Sequence, residues 1–267
     1  MKNKSSTILE ALVCKKPFFL IFLVLVLGLG TITTNAALVA HYEFEGSADD
    51  STGNNIGILV GDAEIINDPE MGLVLWLDGD GDYVDCGNGS FINNLSTFSV
   101  ALWFKTNVIP GALHYPHMIC QRDPWDYIWA LALHGDFQGK IAGRVGAEGG
   151  NALSTVDFVP VIGQWYHVAM TYDDTSDRKI RIYINGAEQS YLHYVAATGT
   201  KLSNPSIHVT IGNRIGGGRA WDGLIDDVRI YNHVLTEAEI MAIVPEPATF
   251  CLLMAGAGIA LRSRRRT

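Results

Sequence analysis

The sequence predicts an all-β protein, a two-sheet antiparallel sandwich flanked at its N- and C-terminal ends by hydrophobic targeting helices. Three observations carry that prediction. Runs of strand length recur between residues 38 and 231, most of them alternating with a period of two. Turn-forming stretches rich in glycine, aspartate and asparagine separate the runs. The long apolar segments lie at the two termini beside basic clusters, so they read as addresses rather than as core.

At the N-terminus Lys2, Lys4, Lys15 and Lys16 precede the apolar run Pro17 to Gly30, and Thr34-Asn35-Ala36 offers cleavage after Ala36. That layout is a secretory signal peptide over 1–36, with an uncleaved anchor as the alternative. At the C-terminus Val244-Pro245-Glu246-Pro247 leads into Ala248 to Leu261, short for a membrane span, and then into Arg262, Arg264, Arg265 and Arg266. A plain tail anchor shares that outline. Setting both ends aside removes four basic residues from each, together with Glu10 and Glu246. Of 19 basic and 28 acidic residues, 11 and 26 remain, a formal charge of −15. Such a balance excludes nucleic acid as a partner and suits a cation. Cys86 and Cys120 are left as an even pair in an exported chain, and read either as a disulfide or as two buried thiols.

Within the remaining chain, Leu38 to Phe44 alternates as a first strand, and the polar loop Glu45 to Asn55 follows. Leu73 to Leu77 and Tyr83 to Cys86 bracket Asp78-Gly79-Asp80-Gly81-Asp82. The D-x-D-x-D spacing is not an EF-hand loop, because Tyr83 and Gly89 stand where its glycine and glutamate belong; a turn is expected, with a secondary cation contact as the other reading. Phe98 to Lys105 is dense enough for a central strand. From Ile109 to Gly150 the pattern loosens, and aromatics and histidines crowd between His114 and Phe137. His114 and His117 lack a third zinc ligand at a recognisable spacing. Trp165 to Asp173 and Lys179 to Ile184 alternate as a hairpin, and Asn185-Gly186 forms a tight turn into the next strand. Ile207 to Arg214 is another strand. Gly216-Gly217-Gly218 is a turn, since no lysine follows to make a phosphate loop.

Leu224 to Tyr231 closes the sheet. Strict alternation puts Asp226 on one row with Leu224, Val228 and Ile230, and a one-residue bulge would exchange it with Asp227. A buried carboxylate needs a partner. Thr236 with Glu239 is a capping box that opens a short helix.

Several of these stretches together resemble a known family. Phe44-Glu45-Gly46 through Asp50-Ser51-Thr52-Gly53-Asn54, Leu77-Asp78-Gly79 through Asp82-Tyr83-Val84, Trp165-Tyr166-His167-Val168-Ala169 through Asn185-Gly186, and Gly223 to Tyr231 are similar to the laminin-G-like (LamG, concanavalin A-like) jelly roll of bacterial secreted proteins. Glu45 and Thr52 depart from its usual Asp and Ser. The resemblance covers 37–243 as one domain and is weakest between Ile109 and Gly150. It implies a structural calcium, Ca2+, held by Asp50, backbone carbonyls around Gly57, and Asp226 or Asp227, and it implies a packing role for His167. The tail Val244 to Phe250 with its arginine cluster resembles the PEP-CTERM sorting signal over 244–267. That implies recognition by an exosortase membrane protease at Pro245, Glu246 and Pro247, transient membrane insertion through both ends, and export to the surface of a Gram-negative bacterium.

The expected function is therefore a secreted binding or adhesion module for glycans, matrix polymers or proteins. Trp125, Tyr127, Arg214 and Trp221 are the candidate ligand residues, since flat aromatic faces match pyranose rings. A glycoside hydrolase and a structural matrix component are the alternatives. No E-x-D-x-E strand supplies the paired carboxylates of a concanavalin A-like hydrolase, so no enzyme activity is expected.

Overall fold

The computed structural model describes residues 37–244, and the expected signal peptide and the sorting segment from Pro245 onward lie outside the described residues. Two antiparallel sheets face each other across one apolar core. In chain order the strands are β1 (Leu38–Tyr42), β2 (Ile58–Val60), β3 (Glu64–Asp68), β4 (Gly72–Asp78), β5 (Tyr83–Asn88), β6 (Thr97–Thr106), β7 (His117–Arg122) and β8 (Tyr127–His134). They continue as β9 (Lys140–Val145), β10 (Ala152–Val156), β11 (Trp165–Asp173), β12 (Arg181–Ile184), β13 (Ala187–Glu188), β14 (Tyr191–Val195), β15 (His208–Ile211) and β16 (Asp222–Tyr231), before the helix α1 (Glu237–Ala242). The first sheet runs β13-β12-β11-β6-β16-β4-β3, with β1 also on β16; the second runs β14-β10-β9-β8-β7-β15-β5-β2.

The two-sheet sandwich is the expected architecture, and its central strands are the ones the sequence marks most densely. β6 lies between β11 and β16, and buries Phe98, Val100, Leu102 and Phe104 on one face. Asn185 and Gly186 both take positive φ, 49° and 86°, which is the backbone that a two-residue hairpin between β12 and β13 demands. The capping box at the start of α1 is complete: Thr236 accepts from the Glu239 N–H, and the Glu239 carboxylate accepts from the Thr236 N–H. The strands number sixteen among the described residues, and the short edge pieces such as β2 and β13 carry no periodic signal in sequence.

β16 corrects the simple alternation. Its first part pairs with β4 and its last part with β1, while β6 runs along its other edge. The change of partner coincides with a bulge, where the register to β6 shifts between Asp226 and Arg229 and Asp227 takes φ 49°. Ile225, Val228 and Ile230 therefore face the core, whereas Leu224 turns outward with Trp103, Trp165 and Val74. Asp226 is paired with Trp103 and so shares that outer face. A single extra residue thus moves the acid off the core row.

The disulfide reading is also corrected. Cys86 and Cys120 are free, buried thiols on β5 and β7, with β15 between those strands. Two strand spacings, about 9.5 Å, exceed the reach of a disulfide, about 7 Å between Cα atoms. Cys120 Sγ instead sits 3.4 Å from Thr210 Oγ1 and donates to the Asn213 carbonyl, and burial pushes its thiol up to about 12.

Candidate functional site

A cavity of about 480 Å³ opens on the face of the second sheet turned away from the core. Its size lies within the ~300–1,000 Å³ of ordinary small-ligand sites. The hollow has a simple cause in sequence. Ala132 on β8 and Ala142 on β9 are cross-strand partners, both line the cavity, and both carry only a methyl group. Their neighbours Leu131, Leu133 and Ile141 point into the core, as alternation requires. Larger residues stand around this floor: Tyr127 and Arg144 on one side, Tyr115, His134 and Arg219 on the other, with Leu153 and Val195 completing the wall.

The walls are cationic and aromatic. The Arg122 and Arg144 guanidinium carbons lie over the Tyr127 ring, 4.3 and 4.2 Å from its centroid, and Arg219 lies 4.9 Å from that of Tyr115. Among the described residues none of these three arginines forms an ion pair, whereas Arg178, Arg181 and Arg229 each do. The Nε atoms of Arg122 and Arg219 are buried without a hydrogen-bond partner. Burial, then the neighbouring arginine charges, depresses the pKa of both. Tyr127 is pushed up to about 12 by burial, so its hydroxyl stays neutral.

His117 is fixed in one state. Burial foremost, with the charges of Arg122, Arg219 and Arg214, holds its pKa at about 3. Nδ1 donates to the Tyr115 carbonyl at 2.6 Å, so Nε2 is the bare nitrogen, and it sits 3.4 Å from Nη1 of Arg122. A neutral imidazole thus backs the guanidinium without adding charge. Asp136, the one carboxylate lining the cavity, accepts from the Tyr115 hydroxyl and the Leu113 N–H, which keeps it below the usual carboxylate range.

The predicted ligand residues divide. Tyr127 lies at the heart of the cavity. Trp125 is 91% exposed on the loop before β8 and does not line it. Arg214 is turned into its own loop, with Nε donating to the Gly217 carbonyl at 2.5 Å. Trp221 is a core residue, fully buried and edge-on to Phe104 at 5.7 Å. The residues missed, Tyr115, His117, Arg122, His134, Arg144 and Arg219, come from separate strands and loops with no common spacing. The only signal was the loosened pattern from Ile109 to Gly150, which supplies most of them.

The predicted metal residues are not gathered into one site. Asp50 Oδ1 accepts from the N–H groups of His41 and Thr52, and Oδ2 accepts from Thr52 Oγ1 and from the backbone and side-chain N–H groups of Asn55. Five donors therefore occupy the oxygens a cation would need. Asp50 meets the edge of β1 opposite to the one that pairs with β16, so β1 separates it from Asp226. Gly57 packs tightly there: a Cβ on it would lie 2.1 Å from the Ala48 carbonyl oxygen. Asp227 is taken by His41 Nε2 at 2.6 Å and Arg229 Nε at 3.0 Å. Asp226 is buried with Oδ1 unpartnered, and its pKa is raised to about 8 by burial and by the charges of Asp227 and Glu45. Burial and these neighbouring charges favour its protonated form.

A different set of acids converges. Asp62, Asp78 and Asp82 each bring an oxygen within 4.8 Å of the others. Asp82 is fully buried, Oδ2 accepts from the Asp78 N–H, and Oδ1 has no partner. Burial raises its pKa to about 6, against the backbone bond that opposes it. Position explains the convergence. The turns β2–β3 and β4–β5 each cross from one sheet to the other, and the three acids sit on these two crossings.

Comparison with known proteins bears on the whole chain. A family model described as the concanavalin A-like lectin/glucanases superfamily matches residues 78–241, and a PEP-CTERM protein-sorting motif matches 244–266. That motif marks the chain for export to the cell surface or extracellular space, with processing by an exosortase. Among the described residues no helix is long and apolar enough to cross a membrane. No curated protein matches the chain at a significant level. Domain 4 of AbnA, an extracellular GH43 arabinanase from Geobacillus stearothermophilus solved with arabinotriose, is similar at 22% identity with a TM-score of 0.59, over 79% of this chain and 99% of that one. The binding domain of Paraclostridial Mosquitocidal Protein 1 is similar at 17% identity and TM-score 0.61, over 78% of this chain and 51% of that one. Botulinum neurotoxin type C, whose cell entry depends on two ganglioside molecules, is similar at 16% identity and TM-score 0.59, over 78% and 50%. The chain spans about half the length of those two toxin chains, and these likenesses show the shared fold. The chain belongs to the concanavalin A-like lectin/glucanase superfamily.

Proposed function

We propose that this domain is an extracellular glycan-binding module, acting in adhesion to glycans or matrix polymers at the surface of a Gram-negative bacterium after cleavage near Pro245 to Pro247. The observation that carries the reading is the cavity of the second sheet, where guanidinium donors held against the Tyr127 ring stand beside a shallow alanine floor. A sugar ring lies flat on a shallow apolar floor and offers hydroxyls to fixed donors, so that combination suits a saccharide. The arabinotriose of AbnA domain 4 and the gangliosides of the neurotoxin support the class, being ligands of proteins of this fold. A glycan array probed with the exported chain tests it: signals lost in Tyr127→Ala are expected, and an array without signal would overturn the reading.

Glycoside hydrolysis is the competing reading, since the superfamily includes glucanases. It requires two carboxylates about 5 to 9.5 Å apart. Asp136 is the one carboxylate at the cavity, and Tyr115 occupies it. Product formation from a polysaccharide panel, abolished by Asp136→Asn, would restore the enzyme.

The calcium that the family resemblance implies finds a poor fit at Asp50 with Asp226, for the reasons above. Asp62, Asp78 and Asp82 fit better, because a fully buried carboxylate oxygen without a partner is the atom that a hard cation satisfies. We propose that a structural calcium ties the two crossings between the sheets. Calorimetric titration of the chain with calcium tests it, and absence of heat together with a melting curve unchanged by chelator would remove the site.

A further inference from the structure

We infer that the cavity is built for an acidic saccharide, whose carboxylate or sulfate ester is received by Arg122, Arg144 and Arg219. This rests on the glycan-binding reading and narrows it to a ligand class.

The argument begins with charge. The domain carries 26 acidic residues against 11 basic ones, so a guanidinium placed at random on it should find a carboxylate. Arg178, Arg181 and Arg229 do so, at 2.8, 2.6 and 3.0 Å. Arg122, Arg144 and Arg219 line one cavity and pair with no acid among the described residues. Gathering three like charges costs energy, and the burial of Arg122 and Arg219 raises that cost. An anion entering the cavity offsets both.

Hydrogen bonding points the same way. The N–H groups at Arg122 Nε and Arg219 Nε are buried and unmatched. Donors are in surplus, and the oxygen acceptors of the cavity's Asp136 and Asn151 side chains are already engaged: Asp136 takes Tyr115 and Leu113, and Asn151 Oδ1 takes the Ala147 N–H at 3.0 Å. A neutral sugar hydroxyl both donates and accepts, whereas a carboxylate or sulfate only accepts, matching a donor-rich wall. The neutral His117 supports Arg122 as an acceptor and leaves the cationic work to the arginines.

The surrounding charge limits the ligand further. A net −15 repels a polyanion from beyond the local patch, over the ~8 Å screening length of physiological salt. The site therefore favours a single acidic sugar within an otherwise neutral chain over a continuous run of acidic units.

Titration of the exported chain with matched oligosaccharides decides the matter. The probes are a neutral oligosaccharide bearing one uronic acid, the same molecule with that carboxyl reduced to the alcohol, and a third with one sulfate ester. The uronate, the sulfate or both should bind about tenfold or more tighter than the reduced form, weaken with added sodium chloride, and fall to the level of the reduced form in Arg144→Gln. Which acid wins identifies the source of the anion. Arg144→Lys, which keeps the charge but loses the fork, should retain part of the affinity, and unchanged melting curves show that both variants are folded. Equal binding of acidic and reduced forms, with Arg144→Gln weakening them alike, would overturn this inference while leaving the glycan-binding reading intact. Absence of binding by every saccharide would overturn both.

Discussion

The guanidinium carbon of Arg144, on β9, lies 4.2 Å from the ring centroid of Tyr127, at the start of β8. The two residues are neither neighbours in sequence nor cross-strand partners, since Arg144 pairs with Ala130. Their meeting depends on the outward alternation of both strands.

Filling the floor should abolish binding without unfolding the domain. Ala142 is only 6% exposed, yet its methyl faces the cavity rather than the core. Ala142→Leu adds bulk where no core atom must move, so the melting temperature should change little while glycan binding is lost. Gly143→Ala, one residue on, is the control: its Cβ would lie 2.7 Å from Met170 Sδ and 2.8 Å from Ile180 Cγ2, and overpacking should cost about 1–3 kcal/mol.

Calcium should stabilise the chain through Asp82. At a concentration a hundred times its dissociation constant, a ligand of the native state alone adds about 2.7 kcal/mol. Thermal melts with calcium and with chelator should separate for the native sequence and coincide for Asp82→Asn. A separation that persists in Asp82→Asn, but disappears in Asp50→Asn, would return the cation to the opening loop.

Asp226 should make stability fall as pH rises. Its folded pKa, about 8, lies above the usual carboxylate value, so the folded state holds a proton that the unfolded state has released. The contribution is complete below the unfolded pKa of about 3.9 and is lost as pH climbs towards the folded value. Chemical denaturation between pH 5 and 8 should show this decline, and Asp226→Asn, which mimics the protonated acid, should flatten it. A slope unaltered by the substitution would show that Asp226 is ionised in the fold.

The thiols should be inert until the domain opens. Cys86 and Cys120 are 2% and 0% exposed, and burial raises both thiol pKa values, that of Cys120 to about 12. A thiol reagent should label neither in the native state and both in denaturant, and reductant should leave the melting temperature unchanged. A reductant-dependent melt would show that the pair is bridged.

The bulge at Asp227 should be intolerant of ordinary side chains. Its φ of 49° suits aspartate and asparagine better than alanine, and its carboxylate holds both His41 and Arg229. Asp227→Ala should destabilise by about 1–3 kcal/mol, and Asp227→Asn by less, measured by urea denaturation.

Sequence by itself determined the class and the punctuation of this protein. Period-two runs marked the central strands, Asn185-Gly186 marked a tight turn, Thr236 with Glu239 marked the helix start, and the proline-glutamate-proline tail marked the export route, because each of these signals lies within a few neighbouring residues. Tertiary structure decided everything that depends on register or on distant partners. One inserted residue at Asp227 turned Asp226 outward; the strand β15 kept Cys86 from Cys120; β1 kept Asp50 from Asp226, while two sheet crossings brought Asp82 to Asp62 and Asp78. The cavity belongs to the second kind, because its arginines and tyrosines come from strands and loops that only the paired sheet sets side by side.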